Sequence, residues 1–380
     1  MRPTFPDGPG RTTYRAMRIL VVNAGSSSLK LRVVDADDSI AAASDLQAVR
    51  GAADASGIAE IVGGIGGIDA VGHRIVNGGT MFTGPVLLDP AVEGRLRELT
   101  DLAPLHQPAS LAALDAVSRA LPDLPAVACF DTAFHAHMPA AASTYAVPIE
   151  WRDEWAVRRY GFHGLSHAYA GRRVAEMLGR PPLGLRVVTC HLGAGASLCA
   201  VADGRSVDTT MGFTPLEGLI MATRSGTVDP GLVLWLKQNA GLGLDDVADA
   251  LEYRSGLLAL AGTADMRQVL AAAGDGDAGA GLALEVYVHR LRAGVASMAA
   301  AMGGMDALAF TGGVGENAPA VRARAAEGLA FFGIELDRGR NMSARPDAEI
   351  GAEDAAVRTL VVAAREDLEI AREVRHIFGS

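Results

Sequence analysis

Apolar and polar positions follow a repeating order along this 380-residue chain. Short runs rich in Val, Ile and Leu, with the length and composition of buried strands, occupy 18–22, 29–34, 70–76, 126–130, 186–190, 197–202, 306–311 and 358–363. Stretches with apolar residues three and four apart predict helices near 91–99, 107–120, 165–178, 229–240, 244–252, 279–302, 319–330 and 366–377. Strands alternating with helices predict an α/β fold class. Two strand–loop–strand units leave no room for a helix between their strands. They add antiparallel pairs, so the central sheets are predicted to be mixed.

Those two units resemble each other. "RILVVNAGSSSLKLRVVD" (18–35) and "RVVTCHLGAGASLCAVAD" (186–203) both open with Arg and a β-branched run. Both turn through small residues after a polar side chain, Asn23 or His191, and both return on an apolar strand ending at Asp. A repeat at this spacing predicts two duplicated domains, because solenoid periods are shorter, about 20–50 residues. The pattern breaks near 148–152, at Pro148 and the neighbouring tryptophans. The expected domains are 17–150 and 151–365, with the helix at 366–380 packing back on the first and a cleft between the two. Residues 1–16 carry Pro, Gly and Arg without an apolar stretch, so they are expected to be a disordered extension rather than a signal peptide. Met17 begins the first well-patterned strand and is an alternative start.

Composition narrows the function. Apolar residues make up 49% and charged residues 21%, in the range of a globular protein. The mean hydropathy of +0.21 comes largely from alanine, and no window offers about 18 uninterrupted apolar residues for a membrane span. A net charge of −10 opposes nonspecific nucleic-acid binding. It leaves room for a local basic pocket that binds a small phosphorylated ligand. Three cysteines without a C-x-x-C pair suit a reducing, cytoplasmic setting.

The candidate chemistry lies in the loops. Small residues let backbone N–H groups converge on one point and form an anion-binding concavity. In the first loop the serines up to Ser28 add hydroxyl donors and Lys30 adds charge. A third segment, "DALAFTGGVGEN" (306–317), runs from a strand through glycines into a helix with Pro319 in its first turn. Ionisable residues also stand in apolar settings: "VGHRIVNGG" (71–79), "CFDTAFHAHMP" (129–139), "RRYGFHGLSH" (158–167) and "TTMGFTPLEGLIMATRSGTVDP" (209–230). A buried charge there must be paired or await a ligand. His73, His135, His137 and His167 read as packing or capping groups, and the motifs of zinc proteases and α/β-hydrolases are absent.

These segments, in this order and spacing, resemble the acetate kinases, short-chain acyl kinases of the sugar-kinase/actin/Hsp70 superfamily. The resemblance runs from about Met17 to the C-terminus. It implies two duplicated ribonuclease-H-like domains, an acyl-binding N-terminal one and a nucleotide-binding C-terminal one. It also implies reversible transfer of a phosphoryl group from ATP to acetate, giving ADP and acetyl phosphate. By position, Asn23 and Glu366 would hold Mg2+, with Mn2+ as a substitute. Ser28 and Lys30 would meet ATP phosphates, Arg74 would bind the acyl carboxylate, and Asp131 would be the essential acid. His163 and Arg224 would stabilise the transition state. His191, Leu192, Gly193, Ala194, Gly195, Asp265, Met266, Arg267, Gly313, Val314, Gly315, Glu316 and Asn317 would bind nucleotide. Val76, Leu105, Phe162 and Pro215 would form the pocket for the acetate methyl. The resemblance further implies a homodimer. The sequence departs from the family pattern at Asn77, Gln107 and Ala194, and in "AARED" before the last helix. Two rival readings are a propionate- or butyrate-preferring acyl kinase and a nucleotide-binding regulator of the actin/Hsp70 type. A regulator would need neither Arg74 nor the methyl pocket.

Overall fold

The computed structural model describes residues 17–25, 28–47, 61, 64, 66–102 and 107–379, with residues 28, 47, 101 and 102 by backbone alone. The extension expected at 1–16 and Leu105 of the expected methyl pocket lie outside the described residues. The first sheet holds β1 (Ile19–Ala24), β2 (Ser28–Val34), β3 (Ile40–Gln47), β4 (Ala70–Ile75), β5 (Val86–Leu87) and β6 (Ala126–Phe130), in the order β3-β2-β1-β4-β6-β5. The second holds β7 (Arg186–Leu192), β8 (Ala196–Ala202), β9 (Arg205–Thr209), β10 (Ala307–Thr311), β11 (Ala348–Glu349) and β12 (Arg358–Val361).

Read from β9, the second sheet runs β9-β8-β7-β10-β12-β11, a strand-for-strand copy of the first. In each, an antiparallel trio leads into two parallel strands and ends on a short antiparallel edge. Even the register irregularity recurs, at Val33/Val34 and at Ala200/Val201. The repeat seen in the sequence is therefore a duplicated topology with mixed sheets.

The strands read as continuous apolar runs because both faces of each sheet are covered. On β1, Leu20 and Val22 pack with Ala113, Ala116 and Val117 of the helix Gln107–Ala120. Ile19 and Val21 point the other way, onto Ile370, Ala371 and Val374 of the helix Glu366–Gly379. In the second sheet Leu308 and Phe310 face the helix Ala278–Ala301, while Ala307 and Ala309 face the helix Gly164–Met177. The last helix thus packs on the first sheet. It also meets the helix Gly164–Met177 through an ion pair, Arg172 Nη1 to Glu369 Oε2 at 2.5 Å. Two strands escape the pattern reading. β3 (IAAASDLQ) is alanine-rich and largely exposed, and β9 (RSVDT) is mostly polar, so neither carries a buried-strand signal. The break expected near 148–152 is occupied by the helix Ile149–Trp155, which buries no residue.

Gly72 on β4 sits directly beneath the last helix. A Cβ there would lie 2.5 Å from Ile370 Cγ2 and 2.8 Å from Val374 Cγ2. Gly72→Ala is expected to cost about 1–3 kcal/mol by overpacking, read as a lower urea midpoint. Gly66→Ala, whose Cβ would meet nothing within 4 Å, is expected to leave the midpoint in place. Equal midpoints for the two variants would refute this account of the contact.

The core also encloses histidines. Burial pulls His73 and His135 down from the ordinary 6.5 to about 4, so both are neutral in the fold. The unfolded chain takes up those protons below about 6.5. Stability is therefore full above that value and is lost as pH falls towards about 4, by up to about 1.4 kcal/mol per pH unit for each group. Denaturation midpoints are expected to drop between pH 7 and pH 5. His135→Gln should shallow that slope by about one proton, and a pH-independent midpoint would contradict the assignment.

Candidate active site

The C-terminal ends of β1, β4 and β6 bring three polar side chains together above the first sheet. Arg74, one residue before the end of β4, donates from Nε to Asp131 Oδ1 at 2.9 Å and from Nη2 to Oδ2 at 2.5 Å. This two-pronged match of planar groups is the geometry arginine favours with a carboxylate. The pair is nearly dry, with side chains 12% and 2% exposed. The third nitrogen, Nη1, donates to the carbonyl of Ala24 at 3.0 Å and to Asn23 Oδ1 at 3.3 Å. Asn23 Nδ2 donates in turn to Glu366 Oε2 at 2.7 Å, so the first residue of the last helix reaches the end of β1. The adjacent Asp367 instead turns to Arg365, which leaves Glu366 as the carboxylate of this cluster.

Burial weakens the charge on Arg74, but Asp131 and Glu366 outweigh it and hold the guanidinium above its ordinary value. Burial pushes the Asp131 carboxyl up against the pull of Arg74. Burial also opposes the charge on Glu366, yet Arg74, His191 and the Asn23 hydrogen bond together keep it below the ordinary range. Lys30, level with Asn23 across the β1–β2 pair, adds its field to Glu366 and His191. Ser28 opens β2, and its side chain lies outside the description.

The second sheet supplies the facing groups. His163 caps the helix Gly164–Met177 with φ +57°, a left-handed conformation uncommon for a residue with a Cβ. Gly164 then donates its N–H to the Asp131 carbonyl at 2.9 Å, and a Cβ at Gly164 would lie 2.1 Å from that oxygen. Only glycine fits, and the contact locks His163 next to Asp131. The His163 ring stacks on His191 with centroids 4.3 Å apart. Its Nδ1 lies 2.9 Å from Ser197 Oγ on β8, and His191 Nδ1 lies 2.7 Å from Ser166 Oγ. Burial, His191, His167, Arg74 and Arg224 all push His163 well below its ordinary value.

Arg224 comes from the loop between β9 and the helix Pro230–Asn239. Its Nε meets Glu252 Oε2 at 3.1 Å, and its Nη1 donates to the Pro215 carbonyl at 3.2 Å. Glu252 belongs to the helix Leu244–Tyr253, whose end is laced to this loop by Thr223 Oγ1 donating to the Glu252 carbonyl at 2.8 Å. Burial lowers Arg224 and raises Glu252, and each offsets the shift of the other. A Cβ on Gly195 would stand 3.2 Å from His163 Nε2 and 3.6 Å from Arg224 Nη1. The second glycine loop therefore lies between these two groups.

Of the expected methyl pocket, Val76 and Phe162 are buried in one hydrophobic cluster, and Pro215 is buried under Arg224. Beside them Asn77 and Gln107, two of the departures from the family pattern, bond each other. The Asn77 N–H donates to Gln107 Oε1 at 3.3 Å, and Gln107 Nε2 donates to the Asn77 carbonyl at 3.2 Å.

The residues expected at nucleotide divide by exposure. Leu192 packs inward, whereas Ala194 is exposed. Asp265 caps the helix Met266–Gly274 by accepting from the Arg267 N–H at 2.9 Å, and it pairs with the exposed Arg267 side chain; Met266 is buried. Gly313, Val314, Gly315, Glu316 and Asn317 form a short helix, Gly312–Asn317, directly after β10. Arg322, fully buried, supports it from behind by donating to the carbonyls of Gly315 and Glu316, each at 2.8 Å.

The oxygens of Asn23, Glu366 and Asp131 are hard donors of the kind Mg2+ selects. Among the described residues no three His, Cys, Asp or Glu side chains converge as a closed cage. One or two carboxylates beside a phosphate site fit an ion that keeps several waters and arrives with the nucleotide. Sequence reasoning missed Glu252, Ser166, Thr189 and Arg322, and it took His167 for a packing or capping group and Ser197 for an ordinary strand residue.

Comparison with known proteins places the chain in a family. The family model described as the acetokinase family matches residues 39–372. The chain is 46% identical over 386 residues to an acetate kinase of Leifsonia xyli subsp. xyli, covering 93% of this chain and 97% of that one. It is 45% identical over 394 residues to an acetate kinase of Deinococcus deserti, covering 96% and 98%. Among solved structures, acetate kinase from Porphyromonas gingivalis superposes with a TM-score of 0.87 at 34% identity, covering 96% and 100%. A propionate kinase from Francisella tularensis gives 0.86 at 34%, covering 94% and 98%. With matches running nearly end to end in both sequence and structure, the chain belongs to the acetokinase family.

Proposed function

We propose that this chain is an acetate kinase that transfers the γ-phosphoryl group of ATP to acetate and runs the reaction in both directions. The observation that carries the reading is the pair of arginines, Arg74 and Arg224, each anchored by a buried carboxylate and each close enough to His163 to act on its charge. Acetate is already ionised at neutral pH, since carboxyl reference values lie near 4, so no base is needed to make the nucleophile. The barrier is the meeting of two anions, and fixed cations with positioned donors are what lower it.

In this reading Arg74 receives the acetate carboxylate while Asp131 fixes the guanidinium plane. Val76, Phe162 and Pro215 enclose the methyl group. Arg224 and His163 meet the transferring phosphoryl oxygens. Lys30 and the loops at 191–195, 265–267 and 313–317 hold the nucleotide. Asn23, Glu366 and Asp131 would hold Mg2+, which supplies neutralisation of the phosphate charge. Closure of the halves brings the loops together and excludes water. The domains proposed are an acyl-binding 17–150, joined by the last helix, and a nucleotide-binding 151–365.

Three buried free cysteines support a cytoplasmic setting. Among the described residues no helix is long and apolar enough to cross a membrane. The helix Pro230–Asn239 buries no residue and exposes Leu232, Leu234 and Trp235, which supports a homodimer through that face.

ATP-dependent formation of acetyl hydroxamate, with Mg2+ present or withheld, tests the activity. Product is expected only with both ATP and Mg2+; an ATPase indifferent to acetate would refute the reading. Arg224→Lys keeps the charge but loses the planar fork. It is expected to lower kcat at least about 100-fold with unchanged folding by circular dichroism, and near-native turnover would remove Arg224 from the role. The substrate choice is expected to rest on Val76. Val76→Ala should raise propionate relative to acetate in kcat/KM by about tenfold or more, the worth of one methylene. An unchanged ratio would place the limit of the pocket elsewhere.

A further inference from the structure

His163 carries a chain of buried polar groups behind its ring. Its Nδ1 lies 2.9 Å from Ser197 Oγ. The same oxygen lies 2.8 Å from His167 Nε2, and His167 Nδ1 lies 2.7 Å from Thr189 Oγ1. Ser197, His167 and Thr189 are each 0% exposed, so bulk solvent does not reach them. At the other ring edge, Nε2 of His163 has no hydrogen-bond partner among the described residues and borders Gly195 and Arg224.

A neutral imidazole has one N–H and a hydroxyl has one O–H, so such a chain runs in one of two directions. Run inward, His163 Nδ1–H donates to Ser197, Ser197 to His167, and His167 to Thr189. The Thr189 proton is then left with the Cys199 carbonyl at 3.4 Å, a poor contact for a hydroxyl. That direction leaves a bare lone pair on His163 Nε2. Run outward, the Thr189 proton sits on the 2.7 Å contact to His167 Nδ1. His167 Nε2–H donates to Ser197, Ser197 donates to His163 Nδ1, and His163 presents Nε2–H to the cleft. The groups expected in that cleft are anionic, so a lone pair aimed at them repels and an N–H attracts.

We propose that Thr189, His167 and Ser197 form a positioning relay that fixes His163 as the neutral Nε2–H tautomer, a preset hydrogen-bond donor to a phosphoryl oxygen. No proton moves; the relay sets which nitrogen carries it. Burial and the neighbouring cations Arg74 and Arg224 keep a second proton off the ring. The proposal rests on the phosphoryl-transfer reading for the charge of the cleft occupants.

Neutron diffraction from crystals of the perdeuterated full chain with ADP locates the protons directly, whether or not the protein turns over. Deuterium is expected on Nε2 of both His163 and His167 and on Nδ1 of neither. Deuterium on His163 Nδ1, alone or together with Nε2, overturns the relay. Kinetics then test its use. Thr189→Val keeps the shape and removes the donor, and it is expected to lower kcat about tenfold, on the scale of one lost hydrogen bond. KM for acetate and ATP should stay level, and Thr189→Ser should restore the rate. Wild-type turnover in Thr189→Val, or no recovery in Thr189→Ser, overturns it. Absence of any kinase activity in the wild-type chain would refute the proposed function and leave the deuterium positions to decide the tautomer.

Discussion

A cation withdrawn from water needs a counter-charge, yet a cation wholly consumed by its counter-charge has nothing left for a ligand. The two arginines of this cleft meet both demands. Arg74 gives Nε and one N–H of Nη2 to Asp131 and Nη1 to the end of β1, which holds the guanidinium plane at a set angle and leaves the second N–H of Nη2 without a partner among the described residues. Arg224 gives one edge to Glu252 and one N–H to a carbonyl, and its Nη2 has no hydrogen-bond partner among the described residues. Each carboxylate thus stabilises a buried charge and aims it.

The duplication explains how such groups come to face one another. Each half delivers functional side chains at the C-terminal ends of its parallel strands and at the first turn between its antiparallel pair. Two copies set edge to edge would place two donor surfaces around one space. Gly164 ties the copies together at that point, since its N–H bonds the Asp131 backbone of the first half while it opens a helix of the second. The halves have diverged in charge: Asn23, Lys30 and Arg74 belong to the first, and His191, Ser197 and Arg224 to the second.

Much of this was legible in the chain. The strand patterns, the twin loops and the segments around Arg74, Asp131, His163 and Arg224 announce themselves because apolar runs interrupted by charge are rare. What stayed hidden has physical reasons. β3 and β9 carry little apolar signal because they lie toward the sheet margins. Glu252 looks like one more acid on an amphipathic helix; only the fold carries it to Arg224, 28 positions earlier in sequence. Ser197 and Thr189 are small strand residues until β7 and β8 place them behind a histidine. Asn77 and Gln107 look like separate departures from a family pattern, but they are a bonded pair 30 residues apart.

The placement of the final helix bears on the order in which this polypeptide can mature. Ile19 and Val21 of the first strand share their cluster with Leu165 of the helix Gly164–Met177 and with Ile370, Ala371 and Val374 of the last helix. As the chain leaves the ribosome, this side of the first sheet lacks much of its cover until residues 366–379 have been made. Domain-by-domain folding from the N-terminus therefore leaves this half incomplete until a helix more than 300 residues downstream docks on its first strand.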